Sequence, residues 1–274
     1  MEKSPIIEVS DLKFGYKKGG ALALKGISLT VNKGEFLAIL GQNGSGKSTL
    51  VRHFNGLLQP TDGVVRVKGM DSKTTPVSKL AASVGYVFQN PDHQIFCSTV
   101  WEELTFGPKN LGIPKDVMET SVREALHIME LEGKEQRHPH SLSRGERQRL
   151  AIATVLAIKP DVIILDEPTG GQDKARTAKL MALLHDLNAK GHTIILITHD
   201  IELAAEHAKR VVVIFDGGLL TDGDPKDVFL EEAKLKQTFL TVPDIFAFSR
   251  GIGMPSPALS PAEFVAAYRQ LNPA

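Results

Sequence analysis

Five apolar runs of strand length, at 35–40, 83–88, 162–165, 193–197 and 211–215, recur along the chain between stretches with helical spacing. Runs this continuously apolar suit strands buried on both faces, so the pattern predicts a mainly parallel sheet covered by helices, an α/β fold. Shorter runs at 6–12, 27–31 and 63–68, bounded by glycine, asparagine or aspartate, predict an antiparallel layer near the N-terminus. From Pro91 to about Lys159 the strand signal vanishes. Within 117–131, Val117, Met118, Val122, Leu126, Met129 and Leu131 follow mostly helical spacing, which predicts a helical insert over about 91–159. Beyond Gly223 the chain turns at Asp224-Pro225, 227–239 reads as one helix, and a proline-interrupted tail leads to a last helix near Ser260-Pro261. There a capping serine, a proline at the first helical position and Glu263 agree on a helix start. The expected division is a main domain over 1–230, with the insert inside it, and a helical extension over 231–274.

The run at 35–40 delivers the chain into Gly41-Gln42-Asn43-Gly44-Ser45-Gly46-Lys47-Ser48, followed by Thr49-Leu50-Val51-Arg52, which can open a helix. A glycine-rich turn between strand and helix lets successive backbone N–H groups face phosphate oxygens. Lys47 supplies a point charge to the outer phosphates and the Ser48 hydroxyl suits Mg²⁺. The candidate phosphate contacts are therefore Gly41, Asn43, Gly44, Ser45, Gly46, Lys47, Ser48 and Thr49. The strand at 162–165 ends in Asp166-Glu167-Pro168, which sets two carboxylates at the edge where parallel sheets hold ligands. Beside a phosphate loop, Asp166 is expected to bind Mg²⁺ and Glu167 to poise an attacking water. His199 ends the next apolar strand and is assigned to the terminal phosphate or that water. Gln89, immediately after 83–88, is placed against Mg²⁺ or water.

Composition narrows the setting. The 274 residues suit one large domain, or one domain carrying an extension. Lysines plus arginines and aspartates plus glutamates both number 32, so no global field favours nucleic acid or an anionic membrane. The apolar runs stop far short of the ~20 residues needed to cross a bilayer. Met1-Glu2-Lys3-Ser4-Pro5 opens without a secretory pattern, and Cys97 alone excludes an intrachain disulfide, so a reducing cytosol is expected.

These elements in this order resemble the ATP-binding cassette (ABC) ATPases, phosphate-loop NTPases with a RecA-like sheet. The deciding stretch is Leu142-Ser143-Arg144-Gly145-Glu146, which is similar to the family's Leu-Ser-Gly-Gly-Gln signature. The resemblance implies ATP and Mg²⁺ as ligands, adenine stacking on Tyr16, and Ser143 and Gly145 contacting the nucleotide of a second ATPase subunit. That subunit is either a second copy or a paralogue. Arg144 and Glu146 depart from the signature, with consequences for the pocket that the sequence leaves open. In Gly170-Gly171-Gln172-Asp173, Gln172 departs from the family's usual leucine before the aspartate.

More narrowly, Phe88-Gln89-Asn90-Pro91-Asp92-His93-Gln94-Ile95-Phe96 and the tail at 240–245 and 259–264 resemble ATPases of energy-coupling factor transporters. That group implies a peripheral place on the cytoplasmic face of the cell membrane. Its partners would be an integral coupling subunit and a membrane subunit that binds a vitamin or a cobalt or nickel ion, without nucleic acid. The insert would border the groove for the coupling subunit, and the extension would contact the second ATPase. The competing reading is a soluble mechanical ATPase on nucleic acid or ribosomes. Asn32-Lys33-Gly34-Glu35 resembles a guanine-reading motif, but precedes the phosphate loop and ends in glutamate. His138-Pro139-His140 reads as a polar loop, and Arg144, Arg147 and Arg149 as one solvated or interface face.

Overall fold

The computed structural model describes residues 4–170 and 172–271. The chain opens with the antiparallel strands β1 (Pro5–Phe14) and β2 (Leu24–Asn32), then turns into the fully buried β3 (Phe36–Leu40). After a short α1 (Lys47–Val51), β4 (Asp62–Val67) and β5 (Met70–Asp71) return to β1, completing a four-stranded antiparallel sheet in the order β2-β1-β4-β5. Helix α2 (Val77–Ser83) leads to β6 (Val84–Val87). The insert follows as α3 (Val100–Asn110), α4 (Lys115–Ile128) and α5 (Arg144–Leu156), with 3-10 turns at Pro91–His93 and Pro139–Ser141. Then β7 (Val162–Asp166), α6 (Lys174–Ala189), β8 (Thr193–Ile197), α7 (Ile201–His207) and β9 (Arg210–Phe215) alternate, and β10 (Gly218–Gly223) folds back on β9. The second sheet runs β10-β9-β3-β8-β7-β6 and is parallel from β9 to β6.

Alternation along these strands explains the fold. Phe36, Ala38 and Leu40 enter the core beneath the insert and α6, whereas Leu37 and Ile39 enter the core shared with the antiparallel sheet. Ile163 and Leu165 against Val162 and Ile164 repeat the division, as do Ile194 and Leu196 against Ile195 and Ile197. Burial on both faces is why polar positions do not interrupt these runs. The architecture is the expected one: a phosphate-loop α/β fold with an N-terminal antiparallel layer, a helical subdomain and a C-terminal extension.

The extension differs in detail from the sequence expectation. Instead of one helix over 227–239, the chain makes α8 (Pro225–Leu230) and α9 (Glu232–Gln237), broken at Glu231 with φ −80° and ψ 47°. The Glu231 carboxylate accepts from Thr221 Oγ1 on β10 at 2.5 Å and from Lys234 Nζ at 2.8 Å, which pins the break to the sheet edge. The tail also carries α10 (Asp244–Gly251) before α11 (Pro261–Leu271), where Ser260 Oγ accepts from Glu263 N at 3.1 Å.

Candidate active site

The end of β3 dictates the loop that follows. Gly41 has φ 147°, and a Cβ there would stand 2.2 Å from the Ile214 carbonyl oxygen, so β9 approaches too closely for any side chain. Gly46 (φ 109°) precedes α1 in a left-handed conformation that glycine adopts without strain. Lys47, 6% exposed, donates from Nζ to Gly41 O at 2.7 Å and Gln42 O at 2.9 Å, drawing the loop around its own ammonium. Burial pulls that ammonium below the usual lysine range, against the opposite influence of Glu167 and Asp166.

In front of the loop lies a cleft of about 380 Å³. Of the residues singled out in the sequence, Tyr16, Asn43, Gly44, Gly46, Lys47, Ser48, Thr49, Gln89, Asp166 and Glu167 line it, with Ala23. Gly41 and Ser45 are buried and do not line it. The Tyr16 ring is 62% exposed, stands edge-on to Phe14 at 4.9 Å, and its hydroxyl lies 2.9 Å from Thr49 Oγ1.

Strands β7 and β8 bring up the acidic side. Asp166 ends β7 at 4% exposure and accepts from the Tyr86 hydroxyl through Oδ2 at 2.6 Å. Burial, and then the Asp166 charge, hold the Tyr86 phenol well above its ordinary pKa, so it remains a donor. Sequence reasoning missed Tyr86, because inside the apolar stretch 83–88 it reads as core. Glu167 has φ 49°, an uncommon conformation for a residue with a side chain, and donates its N–H to Ile197 O at 2.9 Å. Its Oε1 lies 2.9 Å from His199 Nδ1, so His199 reaches the cleft through Glu167. The oxygens of Ser48, Gln89 and Asp166 are hard donors, the chemistry that suits Mg²⁺.

The signature residues lie elsewhere. Ser143 caps α5: its Oγ accepts from Glu146 N at 3.4 Å, while Glu146 Oε2 accepts from Ser143 N at 2.7 Å. Gly145 lines a second cleft, of about 440 Å³, with Arg149, Gln172, Asp173 and Arg176. Neither Ser143 nor Gly145 lines the first. Gln172 donates from Nε2 to Pro168 O at 2.9 Å, and Asp173 caps α6; Gly171 lies outside the described residues. Arg147 is held by Asp92 at 2.8 Å and Leu142 O at 2.7 Å, and Arg149 by Met129 O at 2.8 Å. His138 accepts from His140 N at 3.2 Å within its 3-10 turn. Asn32 donates to Glu35 at the start of β3, at the opposite end of that strand from the phosphate loop.

Residues 24–170 match the ABC transporter family. Over 242 residues the chain is 49% identical to the energy-coupling factor transporter ATP-binding protein EcfA of Methanocaldococcus jannaschii, covering 88% of this chain and 86% of that protein. Among solved structures, cbiO1 from Clostridium perfringens, part of the ABC transporter complex cbiONQ, matches with a TM-score of 0.75 at 37% identity. That match covers 90% of this chain and 100% of the other. A dimeric ATP-binding cassette in a post-hydrolysis state, bound to ADP and Pi, matches with a TM-score of 0.72 at 30% identity, covering 80% and 98%.

Proposed function

The chain belongs to the ABC transporter family, as an ATPase of its energy-coupling factor group, and from that premise we propose how it works. It hydrolyses ATP in pockets shared between two ATPase subunits and so drives micronutrient uptake through membrane partners. The observation that carries this reading is a division of the site. One cleft gathers the phosphate loop, Gln89, Asp166 and Glu167, while the signature residues of the same chain stand outside it. A second subunit, a copy or a paralogue, would bring Ser143 and Gly145 to the terminal phosphate, with the N-terminus of α5 facing the anion.

Within the pocket, the loop from Gly41 to Thr49 holds the phosphates and Tyr16 stacks on adenine. Ser48, Gln89 and Asp166 would hold Mg²⁺, which offsets the charge of the outer phosphates. Glu167 takes a proton from the water that attacks the γ-phosphorus as the bond to ADP breaks, and His199, whose Nδ1 lies 2.9 Å from Glu167, bonds the terminal phosphate or that water. Lys47 and the partner's signature neutralise charge on the departing phosphoryl oxygens.

ATP bridging two half-sites binds the closed pair better than the open one, and only that difference can move the subunits. The main domain, 1–230, carries this chemistry; the insert within it would take up the coupling subunit, and the extension, 231–274, would contact the second ATPase. Among the described residues no helix is long and apolar enough to cross a membrane, which suits a peripheral subunit on the cytoplasmic face. No observation favours a ribosome- or nucleic-acid-directed machine. Ser143→Arg tests the shared pocket. Turnover of the assembled ATPase should fall roughly tenfold or more while ATP affinity of the isolated chain stays unchanged. An equal loss of affinity in the isolated chain would place Ser143 in its own pocket and overturn the reading.

A further inference from the structure

We propose that Lys134 is a positioning residue for the signature: it neutralises the carboxylate that Glu146 places there, and so keeps the N-terminus of α5 attractive to the partner subunit's nucleotide. The inference rests on the shared-pocket reading above. Glu146 stands where the family signature carries glutamine. At the third position of α5 a carboxylate satisfies the helix's own N–H groups, but it also cancels part of the positive potential that this end offers a phosphate. Left alone, the change would set a negative charge beside an incoming polyanion.

Both oxygens of Glu146 are committed. Oε2 accepts from Ser143 N, and Oε1 pairs with the Lys134 ammonium. The Lys134 bond first, and the Ser143 bonds after it, draw the carboxyl down to about 2, so it is ionised at neutral pH. The pair is partly shielded, the two side chains being 25% and 20% exposed. Its lysine is also held from behind. Trp101 N donates to Glu135 O at 2.9 Å and Val100 N to Arg137 O at 3.0 Å, which ties the loop carrying Lys134 to the start of α3.

Of the neighbouring cations, Arg147 is held by Asp92 and Leu142 O, and Arg149 by Met129 O. Arg144 is exposed. A surface ion pair adds little to stability. Here its consequence is electrostatic, a signature whose added charge is cancelled before the nucleotide arrives.

The test uses the assembled ATPase, whether a dimer of this chain or its pair with a paralogue, titrated with ATP at low and high salt. Lys134→Met should raise the ATP concentration for half-maximal turnover roughly three- to tenfold at low salt. Salt screens a bare charge, so the deficit should shrink as ionic strength rises. Lys134→Arg should behave as the parent, and Glu146→Gln added to Lys134→Met should restore the parent value. A Lys134→Met assembly that half-saturates like the parent, or a double variant no better than Lys134→Met, overturns the inference. Failure of the shared-pocket reading is seen separately, as a parent assembly whose turnover is indifferent to Ser143→Arg.

Discussion

At the scale of single residues, the site is built from groups held where they would not rest unaided. Glu167 keeps a left-handed backbone at 8% exposure, a conformation that costs on the order of 1 kcal/mol for a residue with a side chain. The bond from its N–H to Ile197 O holds the backbone, and His199 holds the carboxylate. Replacing that carboxylate by an amide of the same shape isolates its chemistry. In Glu167→Gln, ATP binding measured by titration should persist, while turnover falls roughly 10²–10⁴-fold. Near-parent hydrolysis would remove Glu167 from the role of base. How readily such residues can be found in the sequence depends on their surroundings. The phosphate loop announces itself because close approach of backbone to phosphate demands glycine at fixed spacing. Tyr86 and Lys134 announce nothing, since a tyrosine in an apolar strand and a lysine in a polar loop are what packing and solvation ordinarily produce. Their partners, Asp166 and Glu146, lie 80 and 12 residues along the chain.

Elements were legible in proportion to how completely the core determines them. β3, β7 and β8 are buried on both faces, so their apolarity is unbroken and their positions follow from pattern alone. β5 has two residues, and β10, an edge strand, is mostly half-buried, so neither leaves a periodic trace. The break between α8 and α9 depends on Glu231 reaching Thr221, a contact that local propensity does not encode. Close packing of elements does leave one mark, glycine, at Gly85 in β6. A Cβ there would sit 2.3 Å from Val155 Cγ1 of α5 and 3.0 Å from Pro160 Cγ. Gly85→Ala should therefore push the signature helix off the sheet and cost about 1–3 kcal/mol, the usual range for overpacking. A urea midpoint indistinguishable from the parent's would show that α5 is looser on β6 than its packing indicates.

For the whole molecule, the balance of 32 positive and 32 negative side chains hides an uneven response to pH. His53 is fully buried, with Nδ1 2.7 Å from Thr49 O, and burial lowers its pKa. His185 Nε2 and His207 Nδ1 lie 3.0 Å apart, and burial lowers both. Lys209 and His185 add to that lowering, while Asp186, Glu206 and Asp200 oppose it. A histidine whose folded pKa lies below the unfolded 6.5 takes up more protons when unfolded. Its contribution to stability is therefore whole above pH 6.5 and declines as pH falls toward the folded value. Carboxyls such as Glu146, lowered from 4.5 to about 2, act only further down, losing their contribution below pH 4.5. The melting temperature should thus begin to fall as pH drops through about 6.5 and fall further below pH 4.5, because the two sets of groups have separate unfolded values. Substituting His185→Asn and His207→Asn together should make the upper stage of that fall shallower, leaving the part that buried His53 contributes, and leave the lower one in place. A parent melting temperature that stays level from about pH 7 to 5 would mean that these rings are solvated enough to titrate alike in both states, and that the fold does not exclude water from the seam between α6 and α7.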